Sequence, residues 1–430
     1  MTFLSGTAKS FLALSVYRFG VGIGESSASP SAYSLLADYF SPKVRATVIS
    51  IYASGLYIGS GIGIFIGGLI VDNWNNAYPI ISEAPFGLKG WQVAFMAVGI
   101  PGMLLALLTW QIKEPPRGLS EGLISSESKN PLKETFKELV GLTPFGLVGS
   151  DNFKKELSIN IIFTVLIFLA SYYLYVLTGD FLQWTAFGIG VYVICNWIHG
   201  LKNRDPVAFL LIFKSKALLL GLLSFPFITF VTYALGAFGP SFYIRNFSMT
   251  ATEVGIIYGL ITVFGSMIGV ICGGILGDKL RETYVNGKLY LIMASAVLTG
   301  VTAIGFIHSE NLVASFTWKF VYHIASTAWL GCAASTVTEL VLPRLRAVAS
   351  AFFILMLSMI GLALGPYLTG MVSDIYINSG LLPGPALKNA MTLTLLVLVL
   401  PFGLLAVACK YLKNDEAEIF DKARSLGEEI

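Results

Sequence analysis

The chain has 430 residues, 55% of them hydrophobic and only 12% charged, with a formal net charge of +3. A soluble domain usually carries ~25% charged residues, and no globular core has room for so much apolar surface. Lipid must therefore solvate much of the chain, which excludes a soluble multi-domain enzyme, and the small net charge leaves no footprint for nucleic acid. The four cysteines, at 195, 272, 332 and 409, form no Cys-x-x-Cys pair and read as small core hydrophobes. The three histidines lie far apart and give no metal spacing, and no Walker A pattern is present. No catalytic group, metal or cofactor is expected. Met1 opens into a short apolar stretch without a basic flank, so no cleavable signal peptide is expected.

A bilayer core needs ~20 apolar helical residues. In chain order the spans predicted are 11–36, 46–71, 91–112, 158–178, 181–200, 216–243, 252–276, 288–307, 313–341, 346–373 and 387–412, preceded by an apolar stub at 1–7. Alternate loops carry the basic residues: Lys43 and Arg45, Lys113 and Arg117, Lys154 and Lys155, Lys202 and Arg204, Lys279 and Arg281, Arg344 and Arg346, Lys410 and Lys413. By the positive-inside rule this side and the C-terminus face the cytoplasm. The expectation is a multi-pass protein of the cell (inner) membrane.

Residues 113–157 form the longest polar stretch. Glu114-Pro115-Pro116-Arg117-Gly118 stops a helix, because two prolines cannot continue its hydrogen bonding. Leu132, Phe136, Leu139 and Val140 recur at helical spacing among charges, which predicts an amphipathic helix on the membrane surface. The tail at 413–430 is of mixed charge and reads as a solvated end.

An internal repeat follows from comparing 36–50 with 337–351. Asp38 matches Glu339, Pro42 matches Pro343, Arg45 matches Arg346 and Ala46 matches Ala347, at one offset (339 − 38 = 301; 346 − 45 = 301). A parallel repeat of this kind belongs to carriers made of two similar halves.

The run 18–50, the glycine-rich span that follows it, Gly90-Trp91-Gln92-Val93 with the residues to 102, and Lys113-Glu114-Pro115-Pro116-Arg117-Gly118 together resemble the major facilitator superfamily, specifically its spinster-like branch. The stretch 273–282 resembles the superfamily's loop motif in its second-half copy. The resemblance implies an all-α membrane protein of two pseudo-symmetric bundles around a cavity. It also implies that span 11–36 is the family's fourth helix, so that about the first two and a half helices, with the first-half loop motif and the first-helix acidic site, are missing. The pair of spans at 158–200 is an addition to the twelve-helix plan. The domains expected are a partial bundle at 1–112, a cytoplasmic linker at 113–157, an inserted hairpin at 158–200, a six-helix bundle at 216–412 and the tail.

Arg18 and Glu25 are ionisable residues within an apolar span, where a charge costs ~3 kcal/mol on insertion scales. Seven residues is two turns, so both share one helix face about 10 Å apart. They are candidates to hold a solute headgroup (Arg18) and to exchange a proton (Glu25); the competing reading is a structural pair, or an arginine snorkelling to the surface. Lys319 is the repeat partner of Arg18 (319 − 18 = 301), and His323 lies one turn further on. They are candidates for a second cationic contact and a proton-sensitive group. Tyr52, Tyr57, Tyr233 and Tyr258 are candidates to line the path, with ordinary packing as the alternative. Asp38 with Arg45, Glu339 with Arg346, and Asp278 with Lys279 sit at helix ends on the basic side and are candidates for a latch between the bundles; otherwise they only set topology.

The function expected is secondary, proton-coupled transport. The partners are protons, membrane lipids and a small-molecule or lipid substrate, and the resemblance points to an amphiphile such as a lysolipid or sphingoid-type lipid. The alternatives are efflux of drugs or of an organic anion, and a non-transporting pseudo-carrier or membrane scaffold.

Overall fold

The computed structural model describes residues 1–122, 130, 136, 139–141, 143 and 153–425, and all regular structure among them is helical. The linker helix expected around 132–140 lies mostly outside the described residues. The first half holds α1 (Thr2–Ser5), α2 (Phe11–Glu25), α3 (Ala28–Tyr39), α4 (Arg45–Ala77) and α5 (Gly90–Thr109). A hairpin follows, α6 (Phe153–Thr178) and α7 (Phe181–Arg204), then the short α8 (Pro206–Phe213). The second half holds α9 (Lys216–Phe247), α10 (Ala251–Thr283), α11 (Gly287–His308), α12 (Leu312–Thr327), α13 (Leu330–Glu339), α14 (Arg346–Met356), α15 (Ala363–Asn378), α16 (Pro383–Thr394) and α17 (Val399–Ala408). The chain closes on α18 (Leu412–Arg424). A π-turn at Leu357–Leu362 joins α14 to α15.

Among the described residues, nine uninterrupted helical runs are long and apolar enough to cross a membrane. The other two expected spans, 11–36 and 313–341, are each broken into two helices, with hydroxyl-to-carbonyl bonds at both breaks. At the first break Ser26 and Ser27 donate their hydroxyls back to the carbonyls of Ile23 (2.7 Å) and Gly24 (3.4 Å). At the second, the Thr327 hydroxyl bonds the carbonyls of His323 (2.8 Å) and Ser266 (3.1 Å). Such side-chain bonds compete with the backbone ladder.

The breaks fall at matching places. α2 and α12 start 301 residues apart (312 − 11), as do α4 and α14 (346 − 45). The N-cap side chains, Ser10 and Asn311, keep the offset (311 − 10 = 301), and each accepts backbone N–H groups of its helix's first turn. Arg45 donates to the Ala37 carbonyl (2.9 Å) and Arg346 to the Thr338 carbonyl (3.2 Å), again 301 apart (338 − 37). The repeat thus extends from residue types to a long-range hydrogen bond.

The halves meet where α4 packs along α10 and α13 and where α3 packs on α14. Close approach is permitted by Gly274 and Gly331, at either of which a Cβ would lie within 2.8 Å of the Ala46 carbonyl oxygen. The hairpin packs on the second half. Trp197 stacks on Phe352 (5.4 Å), Gln183 donates to the Ala363 carbonyl (3.3 Å) and Tyr367 donates to Asp180 (2.6 Å). At the hairpin's end Arg344 pairs with Asp205 (2.5 Å).

The tail corrects its expectation. Residues 412–424 form an amphipathic helix whose Leu412, Ile419 and Ala423 are buried against the bundle. Asp415 accepts from the Ser215 hydroxyl (2.9 Å) and the Ala217 N–H (2.8 Å), satisfying the first turn of α9. Periodicity at i, i+4 makes one face of this charged segment apolar, and composition alone hid that.

Candidate functional site

The site grows out of the Pro115-Pro116 stop. Gly118 follows with φ of +83°, a left-handed conformation open to glycine, and its N–H donates to Asp38 Oδ1 (2.9 Å). The turn Leu119–Glu121 then places Ser120 on the Ala37 carbonyl (2.7 Å) and delivers Glu121 between two arginines. Glu121 Oε1 accepts from Arg45 Nη2 (2.8 Å) and from Arg346 Nη2 (2.5 Å). Arg346 also reaches across to Asp38 (2.9 Å). Both arginines are sealed from solvent, at 0% and 1% exposure. A buried pair of this kind costs ~3–5 kcal/mol to break from one side, because the remaining charge has no partner.

Asp278, at the end of α10, supplies the other link. It accepts from the backbone N–H of Ala46 (3.2 Å) and Thr47 (2.7 Å) and from the Thr47 hydroxyl (2.7 Å). A carboxylate of one half therefore caps the positive end of α4 in the other. Lys288 Nζ joins Glu339 (2.6 Å), Ser335 (2.7 Å) and Asp278 (3.5 Å). Beside this cluster lies a cavity of about 840 Å³, lined by Glu121, Asp278 and Glu339 and by Ile419 and Phe420 of α18. Arg281 pairs there with Glu416 (2.6 Å). Burial pushes the Glu416 carboxyl above its ordinary range, and Arg281 offsets that only in part.

The latch residues read from the sequence are brought together in exchanged pairings. Asp38 is paired with Arg346 and not with Arg45, and Glu339 with Lys288 and not with Arg346. Lys279 is exposed and makes no ion pair among the described residues; Lys288 stands beside Asp278 in its stead. Glu121 and Lys288 were missed. Glu121 lies outside both copies of the repeat, in a polar stretch where an acid is ordinary. Lys288 opens an apolar span and reads as an interfacial anchor; its signal was a lysine level with Glu339.

The candidates within the membrane-spanning part are less assembled. Lys319 is fully buried, with Nζ over the rings of Phe306 (4.3 Å), Tyr322 (4.4 Å) and Tyr258 (4.9 Å). His323 bonds the hydroxyls of Thr262 (3.1 Å) and Ser266 (3.3 Å) through its two ring nitrogens. Arg18 and Glu25 are exposed on α2, Arg18 over the Phe95 ring (5.7 Å), with no ion pair among the described residues. No described contact joins them to Lys319. Tyr52 meets Tyr33 edge-on (5.8 Å), and Tyr233 is exposed.

Comparison with known proteins agrees with this architecture. The profile of the Major Facilitator Superfamily matches residues 1–366. An MFS-type efflux pump of Mycolicibacterium smegmatis is 24% identical over 427 residues, 99% of this chain and 76% of the pump. Protein spinster of Drosophila melanogaster is 22% identical over 385 residues, 87% of this chain. The match spans 49% of the spinster protein, so the chain corresponds to about half of that relative's length. A solved bacterial homolog of the human lysosomal transporter Spinster, inward-facing and unoccupied, has 23% identity and a TM-score of 0.47, covering 98% of this chain and 81% of that one. A profile match over most of the length, on a chain whose described regular structure is helical with many membrane-length helices, decides the class: this is a transporter-type protein and no enzyme, and it belongs to the Major Facilitator Superfamily.

Proposed function

We propose that the chain works as a secondary active carrier, coupled to protons, of an amphiphilic or anionic organic solute such as a lysolipid. The basic side faces the cytoplasm, and residues 1–112 and 216–412 are its two moving bodies, with 113–157 as linker. The observation that carries the reading is the cross-paired latch. Asp38 and Glu121 hold Arg346, Glu121 bridges it to Arg45, and Asp278 holds the start of α4. Every one of these contacts joins one half to the other or bridges both, so rocking of the halves breaks them together and opens that end. A gate of this kind has two arrangements, which alternating access requires.

Coupling belongs to Arg18 and Glu25. When Glu25 is protonated it is neutral, and Arg18 is free to hold an anionic headgroup. When ionised it competes for Arg18. Efflux of an organic anion is the second reading, favoured by the Mycolicibacterium pump that aligns over nearly the whole chain. The test is solute flux against pH in proteoliposomes, with a lysolipid and an organic dianion as alternative cargoes. Glu25→Gln should keep binding and lose the pH dependence, and Arg18→Ala should weaken binding at every pH. A parent protein that carries neither cargo at any pH, or a Glu25→Gln variant that keeps the parent's profile, contradicts the reading.

A further inference from the structure

Among the buried donors of the second half that have no hydrogen-bond partner, two lie together on one face of α12, while Arg281 Nη1 and the Ser350 hydroxyl stand apart on other helices. Lys319 Nζ has no partner among the described residues, and the Tyr322 hydroxyl makes no hydrogen bond of normal geometry, with only the Ser326 side chain beside it. They sit three residues apart, one helical turn. Leaving a buried polar group unpaired is costly, and this protein does so twice in one place. Packing does not explain it. The neighbouring polar groups are satisfied: His323 by Thr262 and Ser266, and Tyr243 by Ser315 (3.1 Å). No carboxylate pairs with Lys319 among the described residues, so the amine is not half of an ion pair. Its surroundings are instead the rings of Tyr258, Phe306 and Tyr322.

We propose that Lys319 and Tyr322 form a dry subsite for one singly charged oxyanion carried on an apolar chain, with the amine and the phenol as its two donors. This rests on the carrier reading above and deepens it. Two N–H/O–H donors without an opposing acid select an oxyanion. The aromatic walls select the methylene groups next to it and have nothing to offer a second charge. In the present arrangement the rings close over the amine. Tyr258, whose ring lies against Nζ, belongs to α10, the helix that packs along both α4 and α12, so the amine lies behind the seam between the halves. Parting of the halves at that seam admits the solute, and the oxyanion replaces the rings as the partner of Nζ. Tyr322 therefore contacts the solute, a role its place between Lys319 and His323 did not suggest from sequence.

The test uses the full chain in lipid nanodiscs and three probes of one chain length: decanoate, decanamide and decyltrimethylammonium. The parent should bind decanoate at least ten-fold more tightly than decanamide. Lys319→Met, which preserves length and apolarity, should bring the two to the same affinity, and Tyr322→Phe should weaken decanoate about five-fold. Decyltrimethylammonium should be indifferent to both. Tyr322→Phe removes only an orphan oxygen, so it keeps the test open if Lys319→Met disturbs folding. A decanoate preference that survives in both variants, or a parent with no such preference, overturns the proposal. The carrier reading is judged separately by parent flux; flux that persists while Lys319→Met keeps its anion preference sinks the subsite alone.

Discussion

Arg18 and Lys319 occupy the same place in two copies of one pattern (319 − 18 = 301), yet their surroundings are opposite. Both helices start from a side-chain cap, break at matching positions and lead through a proline turn to a buried arginine. In the second half the lysine is wrapped in aromatic rings and fully buried; in the first the arginine lies exposed over a single ring. The same contrast runs through whole helices: 67% of the apolar window of α9 is buried, against 6% for α4. A repeat therefore dictates backbone path and end contacts, while the neighbours present decide what each repeated side chain does. The two halves are alike at the latch and unlike in the membrane-spanning part.

That contrast is breakable at several levels. The largest effect is expected at the latch. Arg346→Ala leaves buried Asp38 without a counter-charge, held by the Gly118 N–H alone, and leaves Glu121 with Arg45, and should lower stability by ~3–5 kcal/mol, read as a drop in the detergent-solubilised melting temperature. Arg18→Ala, at an exposed site, should stay within ~0.5 kcal/mol. Comparable losses from both would mean that Arg18 is held by something its surroundings do not show. Glycines sharpen the comparison next. Gly274→Ala drives a Cβ against the Ala46 carbonyl oxygen and should cost ~1–3 kcal/mol, whereas Gly59→Ala, with nothing within 4 Å, should be neutral or favourable. Equal melting temperatures for the two variants would remove the close α4–α10 packing from the account.

The smallest effects come from two carboxylates outside the membrane, and they have opposite signs. Burial raises the Asp205 carboxyl, but the hydrogen bonds from Arg344 and the Ala208 N–H outweigh it and hold the group below its ordinary value of 3.8. Its stabilisation is present above that value and is lost as pH falls through the lower, folded one, so acid should loosen the hairpin from Arg344. Glu416 is raised above its ordinary value of 4.5 by burial, so its contribution is present below that value and declines as pH rises through the folded one. Protection factors in α18, exchange divided by its intrinsic rate at each pH, should therefore be higher at pH 5 than at pH 7.5, and Glu416→Gln should flatten the difference. Identical protection factors at the two pH values would contradict a buried, raised Glu416.

Much of this was legible in the residues. Apolar length placed the membrane helices, and acid, proline and arginine in register placed the repeat and named several of the charged residues that meet at its basic end. The hidden parts have physical reasons. The breaks fall at Ser26 and Thr327, where hydroxyls bond the backbone, a feature that hydropathy does not register. The exchange of partners, Asp38 to Arg346 and Glu339 to Lys288, depends on which half lies opposite, which a repeat within one chain cannot state. Glu121 has no repeat partner at all, and only the turn at Gly118 brings it to the arginines. The docked α18 was concealed because its charges dominate composition while its apolar residues fall on a single face.

The central claim is that Glu121 and the pairs around it hold the basic ends of the two halves together. Spin labels at Lys43→Cys and Glu282→Cys, in a background without the native cysteines, straddle the cavity beside the latch, one on each half. Electron–electron distance measurement in nanodiscs should give a single short, narrow distribution for the parent. Glu121→Gln should shift the population to longer and broader distances, with Arg346→Ala shifting it further. A distribution unchanged by either substitution would contradict the account, because the halves would then be held at that end by something other than the latch.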